Sequence, residues 1–268
     1  MASRTFTAGD VTIEALVDGS GPPVAMIASL GRPAEDFDDL ARRLASAGHT
    51  AVRLQPRSIG RSAGPMSGVS LADLAGDAAM VIEALDAGPA ILVGHAFGQR
   101  VARMLATLRP DLVRGLVMLA AGGRVPIPDR ARKALLGCFD LSLPAETHLE
   151  HVRYAFFAPG NDPAVWRGGW HPEVARMQQA SLQGLQPAWT SAPSSDVWWA
   201  GGTGPTLVVQ GLQDTVALPE NGRALAAAFP DRVTLLEIDG AGHALLPERP
   251  QAIADAVLGF IERLQGRE

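Results

Sequence analysis

The chain has 268 residues, of which 47% are hydrophobic, a net charge of −5 and one cysteine. That length suits one sizeable α/β domain with an inserted subdomain, not two large independent ones. The mild acidity gives no basic footprint for nucleic acid or anionic lipid, and the lone Cys138 excludes an intrachain disulfide.

In chain order, the first ten residues lack a basic segment followed by an apolar one, so no signal peptide is expected. No apolar run approaches the ~20 residues that span a bilayer. Together with the single cysteine, this points to a reducing, cytoplasmic setting. Alternating runs at 5–8 and 11–17 predict two paired strands, followed by short apolar strands at 24–28 and 50–54. Helical periodicity appears at 36–47 and again at 71–85, where Ser70 or Asp73 supplies a start signal. Strand 90–93 leads into helix 99–108, which stops before Pro110, and strand 113–119 follows. Residues 123–200 break the rhythm: they are rich in proline and hold all five tryptophans and the only tyrosine. Short helical patterns there predict a helical cap, whose aromatics make its own core or line an apolar pocket. Strand–helix units resume with strands 207–210 and 233–238 and helices 220–228 and 251–264. The expected fold is an α/β, mostly parallel eight-stranded sheet with an antiparallel N-terminal edge and helices on both faces. Residues 1–122 and 201–268, which carry this pattern, are expected to form its core.

Chemistry concentrates at three strand ends. Gly94-His95-Ala96-Phe97-Gly98 has the strand–turn–helix setting of a Gly-x-Ser-x-Gly nucleophile elbow, with Ala96 in the serine's place. Such a turn is sharp enough that side chains two positions either side would collide, which accounts for both glycines. Gly211-Leu212-Gln213-Asp214 puts a carboxylate after one strand, and Gly240-Ala241-Gly242-His243 puts an imidazole after the next. Ligand sites of open α/β sheets form at the carboxyl ends of the strands, so positions 96, 214 and 243 are expected to converge. Asp214 could instead cap a helix, and His243 could be a solvated loop residue. His95 is expected to be packed rather than reactive, Cys138 to be inert, and His148, His151 and His171 not to form a metal box.

The order nucleophile–acid–histidine, together with the elbow, resembles the α/β-hydrolase superfamily over nearly the whole chain. The resemblance implies Asp214 as the acid, His243 as the general base, Ala96 at the nucleophile position and the Phe97 N–H as one oxyanion-hole donor. The second donor comes from Ser29-Leu30-Gly31-Arg32, a loop similar to that of enol-lactone hydrolases, and is assigned to Leu30. Pro56-Arg57-Ser58-Ile59-Gly60-Arg61-Ser62 resembles the family's Arg-Gly-x-Gly-x-Ser loop, with Gln55 in place of a frequent aspartate. No cofactor is implied. Epoxide-hydrolase and dehalogenase chemistry would need an aspartate at position 96.

Three accounts of Ala96 stay open: an active-site knockout of a serine hydrolase, a natural enzyme using the His243–Asp214 dyad as base, or a non-catalytic ligand-binding relative. Ser29 and Ser58 lie on loops near the same site but not on an elbow. The expected partner is a small-molecule substrate, a small or medium carboxylic ester, lactone or related carbonyl compound; a homodimer is left open. Arg32 or Arg57 is expected to meet a substrate carboxylate, and Trp166 and Trp170 to line the pocket.

Overall fold

The computed structural model describes residues 2–183 and 198–266. Eight strands form one sheet, β1 (Ala2–Ala8), β2 (Val11–Asp18), β3 (Pro23–Ile27), β4 (Thr50–Leu54), β5 (Ala90–His95), β6 (Val113–Leu119), β7 (Thr206–Gly211) and β8 (Val233–Ile238), in the spatial order β1-β2-β4-β3-β5-β6-β7-β8. The two pairings made by β2 are antiparallel and the rest are parallel, as expected from the pattern. The β1–β2 hairpin closes over Gly9-Asp10, with Gly9 at φ 59°. β1 begins at Ala2, earlier than the sequence predicts. Ala2, Ser3 and Arg4 carry no strand pattern of their own, and their pairing with Val17, Leu16 and Ala15 extends the strand.

The sheet is covered on both faces. On one side α1 (Asp38–Ser46) and α8 (Pro250–Gln265) pack Leu40, Leu44, Ile253 and Val257 against Val24, Met26, Val93 and Val209. On the other, α2 (Leu71–Leu85), α3 (Phe97–Leu108) and α7 (Glu220–Ala228) bury Leu71, Ala75, Val101, Leu105 and Leu225. Burial on both faces is why β3, β5 and β7 read as continuous apolar runs. Ser70 and Asp73 are two halves of one capping box: the Ser70 Oγ accepts the Asp73 N–H, and the Asp73 carboxylate accepts the Ser70 N–H at 2.8 Å. The first predicted helix is divided, because a 3-10 turn (Ala34–Phe37) precedes α1.

Between β6 and β7 the described chain inserts α4 (Asp129–Gly137), α5 (Ala145–Phe156), a 3-10 turn (Pro163–Trp166) and α6 (Pro172–Ala180). Four of its described prolines mark helix starts: Pro128 and Pro144 are N-caps, and Pro163 and Pro172 open their helices, where a missing N–H costs nothing. The tryptophans divide between two cores. Trp166 and Trp170 join Phe156, Phe157 and Cys138 inside the insertion, whereas Trp198 and Trp199 belong to the main core, where Trp199 packs on Phe229. Trp189 lies outside the described residues.

Candidate active site

Ala96 joins β5 to α3 at φ 48° and ψ −105°, a left-handed conformation that costs a non-glycine residue roughly 1–3 kcal/mol. Its N–H donates to the Leu119 carbonyl at 2.9 Å, which ties the turn to β6. A Cβ on Gly94 would strike the backbone of Gln99, and one on Gly98 the carbonyl oxygens of Ile27 and Ala28. Both glycines therefore follow from close backbone approach. Phe97 opens α3, so its N–H is one of the donors a helix leaves without an internal partner.

Asp214 and His243 lie just past the ends of β7 and β8, on the same edge of the sheet as the elbow. The His243 Nδ1–H donates to Asp214 Oδ2 at 2.8 Å, with both side chains buried. Asp214 Oδ1 accepts the Val216 and Ala217 N–H groups, each at 2.8 Å, and Gln210 Nε2 approaches Oδ2 at 3.3 Å. Asp214 is thus an acceptor locked by its own loop. The N-cap of α7 is Pro219, not Asp214. With its proton held at Nδ1, a neutral His243 presents the lone pair at Nε2.

The elbow and the histidine loop are joined through His95. Its Nε2–H donates to the His243 carbonyl at 2.7 Å. The ring is fully buried, and burial, with repulsion from His243 and Arg32, pushes its pKa down to about 3. It is a neutral, packed residue. Aromatic rings of the insertion complete the surround: Phe156 lies 5.2 Å from the His243 ring and Trp166 6.0 Å from His95.

The Ser29–Arg32 loop is shaped by the insertion. Gly31, at φ 57°, donates its N–H to Gln178 Oε1 at 2.8 Å and accepts the His171 N–H at 3.0 Å. Leu30 is half-buried beside it, and Ser29 is buried. Arg32, expected to meet a substrate carboxylate, is engaged within the chain. Its guanidinium grips Asp36 with two bonds, at 2.8 and 2.7 Å, and donates to the Gly168 carbonyl at 2.7 Å. Trp166 and Trp170 face it at 4.4 and 4.5 Å, so these two indoles hold a buried cation. Trp170 also donates its Nε1–H to the Trp166 carbonyl at 2.8 Å. Arg57 is likewise engaged, by Asp77 at 2.7 and 2.8 Å.

The remaining candidates have quiet roles. Ser58 is exposed in the left-handed region at φ 70°, on a loop whose Ser62 Oγ donates to the Gln55 carbonyl at 3.0 Å. Gln55 accepts the Ala34 N–H at 2.9 Å and donates to Glu35. Burial pushes the Cys138 thiol up to about 12, and His148 donates to the Cys138 carbonyl at 2.8 Å. Among the described residues no three His, Cys, Asp or Glu side chains are grouped to hold a metal ion, and no helix is long and apolar enough to cross a membrane.

Sequence reasoning missed Gln178 and Glu248, both buried and bonded to loops of the site. Neither sits in a motif, and each meets its partners only through the fold.

The pattern for the α/β hydrolase fold matches residues 22–250. BpoC of Mycobacterium tuberculosis, provisionally named a non-heme bromoperoxidase, is 30% identical over 91% of this chain and 95% of its own. Its crystal structure has a TM-score of 0.77 at 25% identity, covering 94% of this chain and 96% of that one. Rhodomycin D methylesterase DauP from a Streptomyces species is 27% identical over 91% of this chain and 93% of its own. The esterase RhEst1 from a Rhodococcus species shares the fold, with a TM-score of 0.79 at 22% identity over 98% of this chain and 100% of that one. The chain belongs to the α/β-hydrolase fold family.

Proposed function

We propose that this protein is an enzyme acting on a small or medium carboxylic ester, lactone or related carbonyl compound, with the His243–Asp214 dyad as its base. The carrying observation is the 2.8 Å bond from His243 Nδ1–H to a carboxylate whose other oxygen is filled by backbone donors. That arrangement leaves Nε2 free to take a proton, and Asp214 stabilises the imidazolium that results.

Ala96 has no oxygen, so no acyl-enzyme forms there. Water gives its proton to His243 Nε2 as its oxygen bonds to the substrate carbonyl carbon. The carbonyl electron pair moves onto oxygen, facing the N–H groups of Phe97 and Leu30. Collapse of this anion breaks the bond to the leaving oxygen, which takes the proton back from Nε2. The insertion between β6 and β7, read as residues 123–200 with 184–197 outside the described residues, serves as the cap over this site. A reducing cytoplasm suits the single cysteine. The activity named for DauP, a methylesterase, supports the ester class.

A second reading has Ala96 standing where a serine acts in an ordinary acyl-transfer hydrolase. The retained strain at Ala96 is common to both readings and weighs against a chain that only binds a ligand, which has no reason to keep it. Two variants separate these readings. His243→Ala should lower turnover of the chain as it stands by about 10²–10⁴-fold; unchanged turnover refutes the dyad as base. Ala96→Ser should confer ester hydrolysis and covalent labelling by a fluorophosphonate. A folded Ala96→Ser protein that resists labelling refutes the acyl-transfer reading. Tight ligand affinity indifferent to both His243 and Asp214 would mark a binding protein.

A further inference from the structure

We infer that Glu248 is a positioning residue for His243, setting the backbone from which the imidazole projects. This rests on the reading of His243 as the base. The Glu248 carboxylate is buried, and its two oxygens divide four N–H donors between them. Oε2 accepts the N–H groups of Gly242 at 2.9 Å and Leu245 at 3.0 Å, one on either side of His243. Oε1 accepts the Ala158 N–H at 2.7 Å and the Asn161 Nδ2–H at 2.6 Å, both from the segment that leaves α5. One side chain thus joins the histidine loop to the insertion.

The loop it holds is under strain and tightly confined. Leu245 has φ 48°, in the left-handed region, where a bulky side chain stays only if its surroundings over-determine it. A Cβ on Gly242 would sit 2.6 Å from the Phe156 carbonyl oxygen and 2.8 Å from the Ala158 nitrogen. The Ala244 N–H donates to that same Phe156 carbonyl at 2.7 Å. From the other side the His95 Nε2–H donates to the His243 carbonyl. The backbone of residues 242–245 is therefore defined by acceptors and donors outside it, and Glu248 supplies the acceptor on both flanks of the histidine. Without it, two buried N–H groups of the loop lose their partner, the situation that most strongly drives a backbone to rearrange. A shift there moves the imidazole relative to Asp214, whose own carboxylate is fixed by Val216 and Ala217.

The test uses Glu248→Gln, which keeps the shape and leaves one oxygen for four donors. In the full-length protein with isotope-labelled histidine, the downfield proton at His243 Nδ1 should broaden or vanish, and the His243 titration midpoint should move. Asp214 should lose the tight bond while far-UV circular dichroism is retained. In an active background, kcat should fall about 10- to 100-fold with KM nearly unchanged, as expected for a mispositioned base. A folded Glu248→Gln protein with the His243 resonance and titration unaltered overturns the assignment, even if its melting temperature falls. Should Glu248→Gln not fold, Glu248→Asp retains both oxygens but draws them back by one methylene; an unaltered His243 resonance there overturns it equally. If His243→Ala leaves turnover intact, the reading of His243 as base falls, whereas the Glu248 assignment is still decided by the His243 resonance.

Discussion

A neutral imidazole at position 95 lets the elbow and the histidine loop lie side by side. His95 is fully buried among His243, Trp166 and Arg32, and its pKa is about 3 against an ordinary 6.5. The unfolded chain therefore takes up this proton first as pH falls. The contribution of His95 to stability is complete above pH 6.5 and is lost as pH drops toward about 3. Replacing it by asparagine should reduce the acid sensitivity of folding. Between about pH 7 and about pH 4.5, His95→Asn should lose less stability in denaturant titrations than the parent protein. Equal losses would show that His95 titrates normally in the folded state. The elbow itself was legible at this scale because glycines at 94 and 98 register a steric demand that any sequence must meet. The fate of Arg32 was not. An exposed loop arginine and a buried strut look alike until Asp36, Gly168 and two indoles are placed around it.

At the level of elements, the site is made where loops from the sheet meet the insertion. Gly31 bonds to α6 through His171 and Gln178, and Arg32 reaches the turn between Trp166 and Trp170. Removing the guanidinium leaves Asp36 buried without its partner and two aromatic faces unfilled. Burial raises the Asp36 pKa, an effect that the Arg32 bonds oppose. Arg32→Ala should therefore destabilise the protein by about 3–5 kcal/mol, measured by chemical denaturation, and should increase hydrogen exchange in residues 166–180. A loss below about 1 kcal/mol would place this pair with ordinary surface ion pairs. Element positions in the main body were largely readable, because buried parallel strands and the start signal of α2 are local, whereas the prolines that open helices in the insertion read in sequence only as a break in the rhythm. The 3-10 turn before α1 was not, since its hydrogen bonding depends on how the loop packs and not on periodicity.

Among the described residues the molecule has one core on each face of the sheet and a third inside the insertion, which takes in Val216 and Ala244 from the main body. Those shared residues, with Glu248 and Arg32, predict one cooperative unfolding unit. Cys138 is a built-in probe, the only cysteine and fully buried in the third core. Its labelling by a thiol reagent should follow the same denaturant midpoint as the loss of far-UV circular dichroism. Labelling at clearly lower denaturant would show that the insertion opens independently. The aromatic wealth of residues 123–200 announced a packed insertion, but only the fold assigns Trp166 and Trp170 to it and Trp198 and Trp199 to the main core. Sequence alone determined the sheet, its strand directions and the residue types at positions 96, 214 and 243, because backbone pairing, burial and tight turns impose local periodicities and glycines. Tertiary structure decided which polar groups are spoken for, such as Arg32, His95 and Glu248, because hydrogen-bond partners far apart in the chain are brought together only by packing.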